Sequence, residues 1–98
     1  MGFEYRAALG DQLKTEALNK IREFLKRGSL LEMLDDGDSG QILFRWRSHS
    51  LDPNWPEDAM ITLKENYIYL LIHGATGSER EAFIEEISGN LGFGFQEI

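Results

Sequence analysis

Apolar residues recur along this chain at two different periods, and the periods divide it into elements. Leu13, Ala17, Leu18, Ile21, Phe24 and Leu25 return at helical spacing. They lay one apolar arc along residues 11–27, which predicts an amphipathic helix. The opposite arc carries Glu16, Asn19, Arg22, Glu23, Lys26 and Arg27. Lys26 and Arg27 fall in the last turn, where the helix dipole favours cations. Gly28 follows in the place of a C′ residue. A second helix is predicted over residues 79–90, where Phe83, Ile84, Ile87 and Leu91 keep the same spacing. Ser78-Glu79-Arg80-Glu81 has the Ser-x-x-Glu form of a capping box just ahead of that run. Asn90 or Gly92 closes it.

Elsewhere the period is two. Ile42, Phe44 and Trp46 point one way and Leu43, Arg45 and Arg47 the other, the mark of a half-buried strand. Met60 to Lys64 and Tyr67 to His73 predict two more strands, joined through Lys64-Glu65-Asn66 as a hairpin. Phe3 to Leu9 alternates loosely, with Phe3, Tyr5 and Ala7 on one face. Phe93 to Ile98 predicts a short last strand. Residues 29–36 fit two patterns. Ser29-Leu30-Leu31-Glu32 is a capping-box form that suits a short helix. Leu30 to Leu34 equally suits a strand running into the turn-rich Asp35-Asp36-Gly37-Asp38-Ser39-Gly40, and we read a strand. Residues 48–58 hold both prolines and read as a loop. The expected fold is a single α+β domain spanning residues 1–98. It has an antiparallel-rich sheet of about four to six strands, with two amphipathic helices packed on one face.

With both helices on one side, their partners are Phe44, Trp46, Ile61, Leu63, Ile68, Leu70 and Ile72. The other side then presents Arg45, Arg47, Thr62, Lys64, Tyr67, Tyr69 and His73, a basic and aromatic surface. Tyr and Arg are enriched at binding hot spots. Arg45, Arg47, Lys64, Tyr67, Tyr69 and His73 are therefore the candidate interaction face. The assignment depends on register, because a one-residue slip exchanges the two faces.

The chain has 98 residues, room for one domain. Hydrophobic residues make up 42% and charged ones 28%, an ordinary globular balance. There is no cysteine, which excludes disulfides, thiolate metal sites and a Cys nucleophile. The net charge of −7 is unevenly spread. Residues 1–49 hold eight basic and eight acidic side chains, whereas residues 50–98 hold only Lys64 and Arg80 against nine acids. Glu79, Glu81, Glu85 and Glu86 concentrate that excess on the second helix. Such a run is ordinarily a solvated helix face, and its functional alternative is a negative surface for a basic partner.

Four segments resemble sites of known chemistry, and each has a simpler reading that we prefer. Asp35 to Ile42 partly follows a calcium loop, but Gly37 replaces a ligand and Trp46 stands where a bidentate Glu is needed. His73-Gly74-Ala75-Thr76-Gly77 after a strand suggests a phosphate-binding turn. Arg80 occupies the third glycine position, and too little chain follows for a doubly wound sheet. Gly92-Phe93-Gly94-Phe95 resembles the core of an RNA-recognition strand, but in that fold a helix and strand follow it. An acidic chain also lacks the field that attracts phosphates. Finally, His49 lies near Ser48, Ser50 and Asp52, a Ser/His/Asp set too local for triad geometry. Trp46 and Phe44 read as core. Trp55, between two prolines, is the aromatic least fixed by the pattern.

Residues 1–6 show no cationic stretch followed by an apolar one, so no signal peptide is expected. The apolar part of the uncharged run from Asn66 to Ser78 is too short for a membrane span of about 20 residues. The expectation is a cytoplasmic, non-catalytic protein-interaction module without cofactor or metal, of the small acidic inhibitor or immunity type. The alternative is a homo-oligomeric structural or small-ligand-binding domain that pairs through its open sheet face. A weak nucleic-acid binder ranks third.

Overall fold

A computed structural model describes residues 2–11, 13–28, 30–38, 40–49, 54 and 56–98. The elements run β1 (Phe3–Ala8), α1 (Lys14–Arg27), β2 (Leu31–Asp36), β3 (Gln41–Trp46), β4 (Ala59–Leu63), β5 (Tyr67–Ile72), α2 (Gly77–Leu91) and β6 (Gln96–Glu97). The strands form one sheet in the order β2-β3-β4-β5-β1-β6. Every neighbouring pair is antiparallel. The α+β class and the strand reading of residues 29–36 both hold. No helix among the described residues is long and apolar enough to cross a membrane.

The topology explains why both helices share a face. In this order β1 and β2 point the same way, and so do β5 and β6. Each helix is thus a crossover between strands of like direction. The first crossover moves towards the β2 edge and the second towards the β6 edge, on strands of opposite direction. Turning the sheet in its plane by half a revolution superposes the two senses. The right-handed crossover rule therefore sends α1 and α2 to the same side.

That side is the core. Tyr5 and Ala7 from β1, Ile42, Phe44 and Trp46 from β3, Ala59 and Ile61 from β4, and Ile68, Leu70 and Ile72 from β5 are buried together. Ala17, Ile21 and Leu25 of α1 and Phe83 and Ile87 of α2 close over them. The rings interlock: Phe83 stacks on Phe44 at 5.1 Å and meets Phe24 and Trp46 edge-on at 5.9 Å each. Such ring pairs add about 0.5–1.5 kcal/mol beyond the area they bury. Phe93 is buried and Phe95 packs partly against the same core, so the aromatics of the Gly-Phe-Gly-Phe segment are core residues.

Several boundaries differ from expectation. Helix α1 starts at Lys14 rather than residue 11. Gly28 leaves it in extended conformation (φ −99°), not as a left-handed C′ residue. Helix α2 is capped by Thr76, not Ser78. The Thr76 hydroxyl accepts from the Glu79 amide at 3.2 Å, and the Glu79 carboxylate accepts from the Thr76 amide at 2.9 Å. At the other end Gly92 takes the left-handed conformation (φ 73°) and donates to the Ser88 carbonyl at 2.9 Å. The last strand is shorter than expected, only Gln96–Glu97.

Candidate functional site

The most densely bonded polar group in the fold forms where β3, β4 and α2 meet. The chain turns after β3, with the His49 amide donating to the Trp46 carbonyl at 3.1 Å. The His49 ring stacks on the Trp46 ring, centroids 5.9 Å apart and planes within 24°. Its Nδ1 lies 2.9 Å from Asp58 Oδ2, and its Nε2 lies 2.9 and 3.0 Å from the two oxygens of Glu79. An imidazolium has an N–H for each carboxylate, whereas a neutral ring has only one. Both ring nitrogens are thereby engaged.

Each carboxylate is itself held. The Asp58 amide donates to the Phe44 carbonyl at 2.9 Å, and the Asp58 carbonyl accepts from the amides of His73 and Gly74 at 2.9 and 3.1 Å. Asp58 Oδ2 also accepts from the Trp46 amide at 2.8 Å. Gly74 is required for this packing, because a Cβ there would lie 2.2 Å from Asp58 Oδ1. Glu79 is fixed by the Thr76 cap. Burial pushes its carboxyl up, but the Thr76 amide, the His49 ring and the Thr76 hydroxyl together outweigh burial and hold it below its ordinary value. Asp52 and Ser50 lie outside the described residues. The described acids on His49 are Asp58 and Glu79, distant in sequence. Among the described residues no group of three or more metal-ligating side chains is placed to hold an ion.

Beside this clamp a cleft of about 540 Å³ opens between the two helices. The C-terminal turn of α1 and the start of β2 supply Phe24, Leu25, Arg27, Gly28, Leu30 and Leu31. Trp46 and Ser48 line it from β3 and its exit, and Ser78, Glu79, Ala82, Phe83, Glu86 and Asn90 from α2. Aromatic and aliphatic groups make the floor, and charged groups the rim.

The candidate interaction face is real as a surface but different in character. Arg45, Arg47, Lys64, Tyr67, Tyr69 and His73 do project to the side without helices. Arg45, however, is only 8% exposed. It pairs with Glu32 at 3.5 Å and donates to the His49 carbonyl. Arg47 divides itself between Glu32 at 3.4 Å and the Leu31 carbonyl at 3.2 Å. Arg6 lies over the Tyr67 ring at 4.3 Å. Tyr69 donates to Glu4, and that bond with burial and the Glu4 charge pushes its phenol up to about 12. The basic face expected to lack acids thus carries Glu4 and Glu32, and its arginines are internally paired. Register also sets Leu43, Met60 and Leu71 in one half-buried row across it.

The candidate acidic face divides. Glu79 turns inwards to His49, while Glu81, Glu85 and Glu86 stay exposed. None of these three has an ion-pair partner among the described residues. The helix has one basic residue, Arg80, and its guanidinium lies 3.6 Å from the Phe3 ring centroid.

Two functional-looking features escaped the sequence reading. Asp58 carried no motif, and its only trace was a glycine, Gly74, sixteen positions on. The cleft is made by residues from four elements, and no local spacing announces it. Comparison with protein-family models, with curated proteins and with solved structures finds no match to this chain.

Proposed function

We propose that the chain is a non-catalytic protein-interaction module of the acidic inhibitor or immunity type, which docks a basic protein on α2. The observation that carries this reading is the contrast between the two charged faces. The arginines of the sheet are neutralised within the fold, whereas Glu81, Glu85 and Glu86 form an exposed row without internal compensation. A one-signed surface steers an oppositely charged partner and speeds its docking. Two further features support a protein partner. The helix is rigidly seated through its Thr76 cap and the Phe83 stack. The edge strand β2 is a poor template for added strands, because Arg22 and Arg47 donate to its Asp36 and Leu31 carbonyls.

The test is affinity capture of the tagged chain from its native cells. The expected result is one stoichiometric partner of basic composition, released by salt and lost when Glu81, Glu85 and Glu86 are changed to Lys together. Absence of any stoichiometric partner, or capture unaffected by the triple change, contradicts the reading.

A second reading, pairing of two copies through the open sheet face, draws support from the Leu43–Met60–Leu71 row and from Thr62. The Thr62 hydroxyl on that face is buried without a hydrogen-bond partner. Light scattering at tens of micromolar, a range where modest affinities register, separates the readings: a dimer supports pairing and a monomer contradicts it.

A further inference from the structure

The geometry points to the interhelical cleft as a binding site for a small organic cation with a flat apolar body. This goes beyond docking of a protein on the outer surface of α2 and stands independently of it.

Size comes first. A volume of about 540 Å³ falls within the range of small-molecule pockets, about 300–1,000 Å³. The floor sets the body of the ligand. Phe24, Trp46 and Phe83 present three rings at mutual spacings of 5.9 Å for Phe24–Phe83 and Trp46–Phe83. They are held by the core beneath, so little order is lost on binding. Such rings favour a flat apolar group and attract a cation over their faces.

Charge sets the head group. Glu79 and Glu86 line the cleft from α2. Glu79 is already engaged by His49 and Thr76. Glu86 is different: its carboxylate has no hydrogen-bond or ion-pair partner among the described residues. A second source of negative potential is independent of the acids. The last turn of α1 opens onto the cleft through Phe24, Leu25, Arg27 and Gly28. A helix C-terminus carries about half a negative charge, which favours cations. Arg27 is the one cation on the described lining, and it sits in that same last turn, where the dipole offsets part of its charge. An ammonium or amidinium on an aromatic stem satisfies floor and rim together. An anion of the same body meets Glu86 and the α1 terminus with the wrong sign.

Three probes that share one ring system and differ only in charge test this. The full-length chain is titrated with tryptamine, tryptophol and indole-3-acetate, followed by NMR of the Phe24, Trp46 and Phe83 signals. Tryptamine is expected to saturate these signals with a dissociation constant about tenfold below that of tryptophol, the value of one well-placed charge contact. Indole-3-acetate is expected to bind weakest. Glu86→Gln, an exposed change that spares the core, is expected to bring tryptamine and tryptophol together. Ala82→Trp, which fills the cleft, is expected to abolish binding of all three. Absence of saturable shifts at the cleft, equal binding of the three probes, a preference for the anion, or a tryptamine advantage that survives Glu86→Gln overturns the inference.

Discussion

Nε2 of His49 lies 2.9 Å from Oε1 of Glu79, across thirty positions of sequence. The bond joins the turn after β3 to the first turn of α2, and Asp58 on the opposite ring nitrogen brings in the approach to β4. Three segments that share no ladder hydrogen bond at this point are fastened by one imidazole. The cleft begins at the same Glu79, so the clamp also fixes one of its walls.

The first consequence concerns pH. The Glu79 carboxyl sits below its ordinary 4.5 in the folded chain. Its folded value is therefore below its unfolded value. The stability it contributes is present above the unfolded value and is lost as pH falls through the folded one. Glu79→Gln is expected to cost about 1–2 kcal/mol at pH 7, in the range for hydrogen bonds to a charged group. The gap from the parent should close as pH falls below 4. Urea midpoints between pH 3 and 7 check this, and a gap constant across that range contradicts it.

The second concerns coupling. His49→Ala strips one donor from each of two half-buried carboxylates and is expected to destabilise by about 2–3 kcal/mol. Combined with Glu79→Gln it should cost less than the sum, with a coupling energy of about 1 kcal/mol. Chemical denaturation of the four proteins of the cycle measures the term. Additivity would mean that the two side chains act separately.

Two glycines make opposite forecasts. A Cβ at Gly74 would collide with Asp58, whereas a Cβ at Gly89 within α2 meets nothing within 4 Å. Gly74→Ala should lower stability by about 1–3 kcal/mol, because the aspartate must move. Gly89→Ala should raise it by about 0.5–1 kcal/mol through helix propensity. In a domain of this size about 1 kcal/mol shifts the melting temperature by roughly 4–8 °C, so scanning calorimetry resolves both signs.

The strands and helices were legible because each obeys one burial rule. Ile42, Phe44 and Trp46 alternate with outward residues since the helices cover only one side, and Leu13 to Leu25 recur at helical spacing for the same reason. The cap of α2 was ambiguous in sequence, because Thr76-x-x-Glu79 and Ser78-x-x-Glu81 both satisfy the pattern. A tertiary bond accompanies the outcome: the Glu79 carboxylate is shared with His49. Arg45 reads as an exposed position by alternation alone. It is buried because Glu32 on the edge strand and the His49 carbonyl meet it. Glu4 joined the sheet face only through the pairing of β1 with β5, which no local pattern encodes.

On that face, Tyr69 offers a spectroscopic check. Its phenol, raised to about 12, titrates above the unfolded value of 10. The contribution of the Glu4 bond is present below pH 10 and lost as pH rises through 12. Absorbance titration should show one late tyrosine, and Glu4→Gln should move it back towards 10. A Tyr69 signal unchanged by that substitution contradicts the pairing.

The central claim is that the uncompensated acids of α2, rather than the sheet, receive a protein partner. Amide hydrogen exchange on the complex captured from native cells tests it most directly, because it maps the footprint without altering the chain. The account predicts added protection at the exposed face of α2 around Glu81, Glu85 and Glu86, with β3, β4 and β5 unchanged. Protection confined to the sheet around Leu43, Met60 and Leu71, with α2 unaffected, would contradict it.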